Sequence, residues 1–519
     1  MSKASLGYCS ECKAQVPAEY VVRDNFVWFR KSCPECGDND APISSDPETW
    51  QAKRDLWEGD PGRNSVNCKL NCDKCKIDHA TTTLFLDVTN RCNMDCPMCG
   101  FSLRGMGFEF NPPLEYFDKV LEAVSQMRPR PVVNLFGGEP TVRNDMFEIL
   151  KLGRKYKVEI QITTNALRLA DEEYCKQVCK AHVGLRIGFD ARSREVYERL
   201  RNNGQAYEKK LKALENIKKY TRRKHTIFAT AAMGITDPYM EDLIQYCHDN
   251  RDFISDLGVL PLYENWKPGE FEVDSHTTPE DVEKLIQESV PGGGVDFIPA
   301  GMTYWLGVMR PFFSKKPDSG LLNFAGIHPN CESVTFLVSD GESYRGLNHY
   351  LNKPLTEAAE DLAAAVKKIQ PKLAKLDPAK PLQRLRGKLL CATAMAPWAL
   401  RTVNKRRLAG PNPITRLGKA LWSQWKRRRT KRRTKKSSPS SYLRVVIIPL
   451  EEQHAVDSER LKRCRVGSVY EDAKTGTVEV VPHCVWFPYR NPILQEINKK
   501  YGTTRDKKKV VPLPLRKAA

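Results

Sequence analysis

The sequence has no apolar run of the roughly 18–20 residues that a membrane-spanning helix requires. Its first residues, MSKASLGYCSEC, also lack the apolar stretch of a secretory signal. We therefore expect a cytoplasmic protein. In that reducing compartment the 17 cysteines are not expected to form disulfides. With 41% hydrophobic and 28% charged residues, the 519-residue chain has the composition of soluble globular domains, and its length predicts two or three of them.

Acidic residues are absent from one long segment. Between Lys380 and Lys436 there are 19 lysines and arginines and no aspartate or glutamate. Without those 19, the chain has 64 basic and 63 acidic residues, so the net charge of +20 comes almost entirely from this segment. The excess of positive charge therefore needs an explanation specific to this segment, because the rest of the chain is nearly neutral.

Two basic amphipathic helices are predicted in this segment, at 382–402 and 415–425. The first has Leu382, Leu385 and Leu389 on one face, and the second has an apolar stripe that consists of Leu417, Leu421, Trp422 and Trp425. Such helices suit an anionic membrane surface, here the inner face of the membrane. Nucleic acid is a second candidate partner, because lysine and arginine neutralise phosphates equally well. A solvated tail is the third interpretation.

Strands and helices alternate between residues 83 and 265. Buried strands such as TLFLDVT, VVNLFGG and VEIQITTN are each followed by a helical pattern, of which PLEYFDKVLEAVSQM is the clearest. This alternation predicts an α/β fold in which about six βα units form a partial, TIM-like (β/α)6 barrel. The carboxyl ends of the strands are then the expected place for active-site loops.

Ten of the cysteines form tight clusters before residue 100. Two CxxC pairs, Cys9/Cys12 and Cys33/Cys36, flank a predicted strand–turn–strand with Asp24-Asn25 at its turn. Each pair presents two thiolates on one turn, so together they predict a tetrahedral four-cysteine site with a structural role. Zinc ribbons and rubredoxin-like iron sites share this pattern, so the pattern is compatible with either zinc or iron.

Cys92, Cys96 and Cys99 lie in a loop directly after the first strand of the alternating region. A [4Fe–4S] cluster commonly takes four thiolates, so three leave one iron without a protein ligand, able to chelate a small molecule. A structural zinc, or a ferredoxin-like cluster with a distant fourth cysteine, is the alternative. The position after a barrel strand favours the catalytic interpretation.

The sequence LDVTNRCNMDCPMCGF resembles the CxxxCxxC loop of the radical S-adenosylmethionine (SAM) superfamily, except that Met98 replaces a frequent aromatic residue. Gly137, Gly138, Glu139 and Pro140, one βα unit later, resemble that family's GGEP motif. The resemblance implies that the open iron binds SAM. One electron then yields methionine and a 5′-deoxyadenosyl radical, which abstracts hydrogen from the substrate. A reduced flavodoxin- or ferredoxin-type protein is the implied electron donor.

Three further polar residues lie at predicted strand ends. By the same resemblance, Thr164 and Asn165 are candidates for contacts with the SAM ribose, although an ordinary asparagine turn explains them equally well. Asp190, which ends GLRIGFDA, is a candidate for contact with SAM or substrate. The two glycines of the GGEP motif would let backbone approach the methionine part of SAM, and Glu139 would accept from its ammonium group.

Cys68, Cys72 and Cys75 repeat the spacing of the catalytic triplet, but no strand precedes them. We interpret them as ligands of an auxiliary iron–sulfur cluster, with unligated thiols as the alternative. The candidates for a fourth, distant ligand are Cys331, Cys464 and Cys484. Four other cysteines lie in helical patterns and are expected to be core residues, namely Cys175, Cys179, Cys247 and Cys391.

The predicted organisation has six parts. They are a cysteine-knuckle metal module (7–40), an auxiliary cluster segment (60–80), the partial barrel (83–265), its C-terminal extension (266–378), the basic segment (379–441) and a small C-terminal cysteine module (442–490).

The modules at 7–350 and 442–490 together are similar to a radical SAM subfamily that contains archaeal tetraether lipid synthases and dihydro-hydroxymethylpterin methyltransferases. The resemblance implies a radical SAM enzyme that acts on a lipid, by C–C coupling or by methylation at an unactivated carbon. A pterin or an RNA base is the alternative substrate. An electron-transfer or nucleic-acid-binding iron–sulfur protein without turnover is the alternative class. Six candidate thiolates remain, which complete one four-cysteine auxiliary cluster rather than several. The reaction of this chain is therefore not required to be that of its relatives.

Overall fold

The computed structural model describes residues 5–72, 75, 77–99, 106–264, 266, 271–314, 323–409, 442–450 and 455–503. Its N-terminal part is an antiparallel four-stranded sheet in the order β1 (Ser5–Tyr8), β2 (Gln15–Arg23), β3 (Phe26–Cys33) and β4 (Gly37–Ser44). The β2–β3 hairpin turns at Asp24 and Asn25, both with positive φ (51° and 58°), as the sequence predicts. The CxxC pairs lie at the end of this sheet away from that turn.

The large sheet has twelve described strands. They are β5 (Thr83–Thr89), β6 (Val132–Gly137), β7 (Ile160–Thr164), β8 (Gly184–Gly188), β9 (His225–Ala231), β10 (Ile254–Pro261), β11 (Ile298–Pro299), β12 (Ser333–Ser339), β13 (Tyr344–Gly346), β14 (Tyr442–Ile447), β15 (Val466–Glu471) and β16 (Val478–Pro482). Strands β5 to β10 are parallel neighbours in chain order, which confirms the six-unit partial barrel.

The sheet is extended at both sides of these six strands. Its order is β11–β12–β14–β10–β9–β8–β7–β6–β5–β15–β16, with β13 beside β12. Strand β14 is parallel to β10 and antiparallel to β12, and β15 is parallel to β5. The strands of segment 442–490, predicted as a small module of their own, therefore belong to the barrel sheet. Sequence patterns show that a strand exists but carry no information on which distant strand pairs with it.

The described α-helices follow the predicted alternation. They are Pro47–Leu56, Leu114–Gln126, Met146–Lys155, Glu172–Lys180, Arg194–Arg201, Ala206–Tyr220, Met240–Asp249, Pro279–Ser289, Tyr304–Met309, Leu355–Leu373, Pro381–Thr402, Lys405–Ala409, Ser458–Leu461 and Trp486–Tyr501. Helix Leu114–Gln126 buries Phe117, Val120, Leu121 and Val124 in the same cluster as Leu84 and Leu86 of β5. Phe85, between those leucines, points to the opposite face of the sheet, because side chains alternate along a strand.

The N-terminal sheet is fixed to the barrel by buried polar contacts. The hydroxyl of Tyr8 donates to the backbone oxygen of Leu70 at 2.5 Å, and Tyr20 donates to Asp457. In helix Pro47–Leu56, the buried ammonium of Lys53 pairs with Glu280 at 2.7 Å and with Glu283 at 2.5 Å. The contact of Tyr8 with Leu70 holds the predicted metal module against the segment that contains the second cysteine triplet.

The first basic helix forms as predicted, over Pro381–Thr402. Its Leu382, Leu385 and Leu389 are exposed to 82%, 55% and 61%, whereas Cys391 is buried against neighbouring helices. The second, at 415–425, lies outside the described residues. Among the described helices, none combines the length and the hydropathy of a bilayer-spanning segment.

Candidate functional site

The predicted catalytic residues converge at the carboxyl ends of four neighbouring parallel strands. Cys92, Cys96 and Cys99 follow β5, Glu139 follows β6, Asn165 follows β7 and Asp190 follows β8. Strands in this order are direct neighbours in the sheet. Four short loops that are far apart in sequence therefore form one rim.

The three thiols of the first triplet lie close enough to interact. Burial raises the pKa of Cys92 well above the usual range of a thiol, with further contributions from Glu139, Cys96 and Cys99. Burial also raises the pKa of Cys96 to about 11, while Arg201 acts in the opposite direction. Thiols that repel one another's charged forms in a partly buried loop are suited to share a cationic iron centre, which would stabilise all three thiolates.

The two glycines at the end of β6, Gly137 within the strand and Gly138 directly after it, are required by the cysteine loop itself. A Cβ at Gly138 would lie 2.3 Å from the backbone oxygen of Arg91, and one at Gly137, where φ is +115°, would lie 2.4 Å from that of Thr89. The backbone amides of Gly138 and Glu139 donate to those two oxygens, of Thr89 at 2.6 Å and of Arg91 at 2.8 Å. The space that each glycine leaves is thus occupied by the backbone of the cysteine loop. The expectation from the sequence was that these glycines let backbone approach SAM.

Glu139 is buried and accepts four hydrogen bonds from the described residues. Its Oε1 accepts from the amide and the hydroxyl of Thr141, at 3.0 and 2.5 Å, and from the hydroxyl of Thr164 at 2.8 Å. Its Oε2 accepts from the backbone amide of Asn165 at 2.6 Å. Burial raises the pKa of this carboxyl group, and the hydrogen bonds partly offset that effect. Pro140, the next residue, begins the 3₁₀ turn Pro140–Val142, which orients Thr141.

Asn165 connects the end of β7 to the cysteine loop. Its side-chain amide Nδ2 donates to Asn93 Oδ1 at 2.7 Å and lies 3.7 Å from the Sγ of Cys92. Its Oδ1 accepts from the amide of Leu167 at 3.0 Å. Thr164 and Asn165, predicted as ribose contacts, therefore also link the loops after β5, β6 and β7.

Asp190 binds an arginine. Its carboxylate accepts from Arg201 Nη2 at 2.7 Å and Nε at 3.0 Å, and from the amide of Thr230 at 3.0 Å. Burial acts to raise the pKa of Asp190, but Arg201 outweighs it and holds the pKa below its usual range. Arg201 also lies 3.5 Å from the Sδ of Met98, within the loop of the triplet.

Three cations near the triplet were not predicted. Arg201 interacts with Cys96, as does the buried Lys210, whose pKa is lowered to about 8 by burial. Arg490, from the last described helix, interacts electrostatically with Cys99 and Asp87. Each comes from an element remote in sequence, so no local signal identifies it.

The four knuckle cysteines lie close enough together to hold the metal ion that the sequence predicts. The sulfurs of Cys9, Cys12, Cys33 and Cys36 all lie within 4.8 Å of one another, and those of Cys12 and Cys33 are 3.7 Å apart. A tetrahedral metal with bonds of about 2.3 Å requires sulfurs about 3.8 Å apart. The backbone amide of Cys12 contributes most to lowering the pKa of Cys9, to about 6. The residues thus fit a single metal ion.

Cys68, Cys72 and Cys75 line one cavity of about 290 Å³ beside the N-terminal sheet. Its wall also includes His79, Leu461 and Pro482. The three thiols do not form a group as tight as that of the knuckle cysteines among the described residues. Burial lowers the pKa of His79 to about 4.

A second cavity, of about 180 Å³, lies against the face of the sheet to which Phe85 points. Cys331, Cys464 and Cys484, predicted separately as distant ligands, all contribute to its wall. Phe136 and Phe228 provide apolar surface, and Arg186 and Glu332 provide charge. Burial raises the pKa of Glu332 to about 8, against the effect of Arg186. The cavity thus combines aromatic walls with a few charged groups.

Comparison with known proteins identifies two regions. Residues 86–247 match the radical SAM superfamily, and residues 2–45 match the HMPTM N-terminal zinc ribbon domain. A 7,8-dihydro-6-hydroxymethylpterin dimethyltransferase from Methanocaldococcus jannaschii is 28% identical over 353 residues, which cover 66% of this chain and 69% of that protein.

Other matches cover smaller parts of this chain. The mycofactocin maturase MftC of Mycolicibacterium smegmatis is 28% identical over 138 residues, which cover 27% of this chain and 34% of that protein. The crystal structure of Streptococcus suis SuiB bound to S-adenosylmethionine aligns with a TM-score of 0.33 and 13% identity, over 51% of this chain and 68% of SuiB.

Proposed function

We propose that this chain, whose residues 86–247 match the radical SAM superfamily, is a radical SAM enzyme in which Cys92, Cys96 and Cys99 hold the [4Fe–4S] cluster at which SAM is cleaved. The observation that carries the proposal is the convergence of these partly buried thiols with Glu139 and Arg201 on one rim of the barrel. When bound, the cluster supplies an iron without a protein ligand and the electron that splits SAM into methionine and a 5′-deoxyadenosyl radical.

Glu139 is the proposed acceptor for the ammonium group of SAM. Its Oε1 is occupied by three hydrogen bonds, whereas Oε2 accepts one from the described residues. A carboxylate oxygen has about two lone-pair sites, so Oε2 has capacity for a further donor. The bonds from Thr141, Thr164 and Asn165 fix the orientation of the carboxylate before SAM binds, which lowers the entropic cost of binding.

Gly137, Gly138 and Pro140 position Glu139 next to the cysteine loop, and Asp190 positions Arg201 next to Cys96. Thr164 and Asn165 remain the candidates for the ribose. A cation beside a cluster thiolate stabilises negative charge there. Arg201, Lys210 and Arg490 are therefore proposed to favour the reduced, more negative form of the cluster, which receives its electron from a flavodoxin- or ferredoxin-type donor.

The test is SAM cleavage by the anaerobically reconstituted full chain. Cys96→Ala should abolish formation of 5′-deoxyadenosine while leaving the metal of the four knuckle cysteines bound. Cys179→Ala, at a partly buried cysteine outside the site, is the matched control and should retain cleavage. Cleavage by the Cys96→Ala variant at the rate of the control would contradict the assignment.

Cys68, Cys72 and Cys75 are proposed to hold an auxiliary iron–sulfur cluster, and Cys9, Cys12, Cys33 and Cys36 a structural zinc or mononuclear iron. The match to a zinc ribbon supports an additional metal site in the N-terminal sheet. Quantification of iron, sulfide and zinc per chain distinguishes these assignments. Cys331, Cys464 and Cys484 remain candidate metal ligands from the wall of the barrel cavity.

The proposed substrate is a lipid, modified by C–C coupling or methylation at an unactivated carbon. The exposed leucines of helix Pro381–Thr402, together with its basic side chains, support association with an anionic membrane surface. Retention of the protein by anionic liposomes, compared with its retention by RNA at matched salt, shows which of the two partners it binds. Three leucine-to-serine changes at 382, 385 and 389 should then reduce liposome binding.

A pterin is the alternative substrate. It is favoured by the M. jannaschii relative, which covers most of both chains, and by the mixture of aromatic and charged side chains in the barrel cavity. Stacking on Phe85 or Phe136 and hydrogen bonds to Glu332 suit a polar heterocycle better than an alkyl chain. Incubation of the active enzyme with SAM and either a dihydropterin or a membrane lipid extract distinguishes the two by mass spectrometry.

A further inference from the structure

The second cysteine triplet lies in a cavity that also contains a histidine. Cys68, Cys72, Cys75 and His79 all contribute to the wall of the 290 Å³ cavity. Its volume is roughly ten times the 30 Å³ that one water molecule occupies in the liquid, so it has room for a polynuclear group. None of Cys331, Cys464 and Cys484 contributes to this wall, and all three contribute to the wall of the barrel cavity.

The ring of His79 has one nitrogen without a partner. Its Nδ1 is buried and has no hydrogen-bond partner in the part of the chain that the structure describes. Buried polar atoms in native proteins are normally paired, so an orphaned nitrogen beside three thiols indicates an absent partner. An imidazole nitrogen and thiolates are ligands that iron accepts together, as in clusters where histidine replaces cysteine.

The ring of His79 also lies near the backbone of Cys464. The backbone of Cys464 acts to raise the pKa of the ring, against the larger effect of burial, whereas Nδ1 has no partner among the described residues. Histidines that bind metals usually donate their second N–H to a backbone carbonyl, a carboxylate or water, which fixes the tautomer and the ring orientation. The backbone of Cys464, rather than its thiol, thus contributes to this site.

We propose that His79, through Nδ1, is the fourth protein ligand of the auxiliary cluster held by Cys68, Cys72 and Cys75. This inference rests on the auxiliary cluster proposed above and is independent of SAM cleavage. A neutral imidazole in place of a thiolate makes the cluster less negative, so its reduction potential is higher than that of an all-cysteine cluster. The cluster then has no open iron, which distinguishes it from the cluster at the barrel rim.

The experiment isolates the auxiliary cluster in the full chain. A Cys92→Ala/Cys96→Ala/Cys99→Ala background removes the catalytic cluster, and the reconstituted protein is produced with ¹⁵N-labelled histidine and reduced. Pulsed EPR should show hyperfine coupling to one histidine nitrogen. His79→Ala should abolish that coupling, whereas His349→Ala, which alters an exposed histidine outside the site, should leave it unchanged. His79→Cys should restore a complete cluster without the nitrogen coupling and with a lower potential.

Two results would overturn the inference. The first is an auxiliary cluster without histidine coupling, or with coupling that persists in His79→Ala. The second is loss of the cluster in Cys464→Ala but not in His79→Ala, which would assign the fourth position to that thiol. If the background binds no iron–sulfur cluster, the proposed auxiliary cluster and this ligand both fail, whereas 5′-deoxyadenosine formation by the wild type separately decides the proposed reaction.

Discussion

The guanidinium group of Arg201 donates to both carboxylate oxygens of Asp190, from Nη2 at 2.7 Å and from Nε at 3.0 Å. The same Nη2 donates to the hydroxyl of Thr230 at 2.9 Å. Asp190 follows β8, Arg201 ends helix Arg194–Arg201 and Thr230 belongs to β9, so one buried ion pair joins three elements of the barrel rim. This pair fixes the cation that faces Cys96.

Arg201→Gln should destabilise the protein strongly, because it leaves the carboxylate of Asp190 buried without its partner. Removal of one member of a buried pair costs about 3–5 kcal/mol. The free energy of unfolding in urea measures the loss. The control is Arg192→Gln, which breaks the half-exposed pair with Asp242 and should cost about 0–1 kcal/mol.

The double variant Arg201→Gln/Asp190→Asn provides the internal check. It removes both charges, so it should be more stable than Arg201→Gln alone, although each change removes a hydrogen-bonded group. Equal losses for Arg201→Gln and Arg192→Gln would show that the buried pair contributes no more than a surface pair.

Glu139→Gln should weaken SAM binding about 10- to 100-fold. The change removes a charged acceptor and places an NH₂ group among donors from Thr141, Thr164 and Asn165. A hydrogen bond to a charged group contributes about 1.5–3 kcal/mol, and 1.4 kcal/mol corresponds to a tenfold change in affinity. Equilibrium binding of SAM to the reconstituted protein checks this, with the surface variant Glu148→Gln as control. Unchanged affinity in Glu139→Gln would contradict the proposed ammonium contact.

The strand-end residues could be predicted from the sequence because their signals are local. A cysteine triplet after a buried strand, and Gly-Gly-Glu after the next, identify two loops at the same edge of a parallel sheet. The hairpin at Asp24-Asn25 was predicted for the same reason, since both residues tolerate positive φ. Pairing of β14 with β10, across almost 190 residues, has no local signal.

The cations around the triplet could not be predicted either. Arg201, Lys210 and Arg490 look like ordinary charged residues on helix faces, and only the packing of those helices brings them to the cysteines. His79 has the same character, because an isolated histidine four residues after a cysteine has no special meaning until its orphaned nitrogen is seen.

Gly138→Ala should prevent assembly of the catalytic cluster. A Cβ would lie 2.3 Å from the backbone oxygen of Arg91 and 2.7 Å from the backbone carbon of Asn90, so the cysteine loop must move. Iron and sulfide content and the optical spectrum after reconstitution measure the effect. Gly307→Ala is the matched control, because a Cβ there has no atom within 4 Å. A Gly138→Ala protein with a full cluster content would show that the loop adapts without loss.

Cys12→Ala should release the metal of the N-terminal sheet and leave SAM cleavage intact. The sulfur of Cys12 lies 3.7 Å from that of Cys33, and three thiolates hold a tetrahedral ion less tightly than four. Metal analysis should show the loss of one ion per chain, and limited proteolysis should show faster cleavage within residues 5–44. Loss of 5′-deoxyadenosine formation in this variant would show that the metal has more than a structural role.

His225 should make the protein less stable in acid. Its Nδ1 accepts from the amide of Leu185 at 3.1 Å and its Nε2 lies 2.6 Å from the hydroxyl of Thr221, so the ring is neutral in the fold. Burial lowers its pKa to about 3, from 6.5 in the unfolded chain. Between those values the unfolded state binds more protons, so the free energy of unfolding falls as the pH decreases. From pH 7 to pH 5 the contribution of this one group is about 2 kcal/mol.

The difference in unfolding free energy between the wild type and His225→Gln isolates the contribution of His225, because other groups contribute equally to both proteins. That difference should shrink by this amount at pH 5, whereas His349→Gln should follow the wild type at both pH values. Parallel pH profiles for the wild type and His225→Gln would mean that protonation of this ring does not oppose folding.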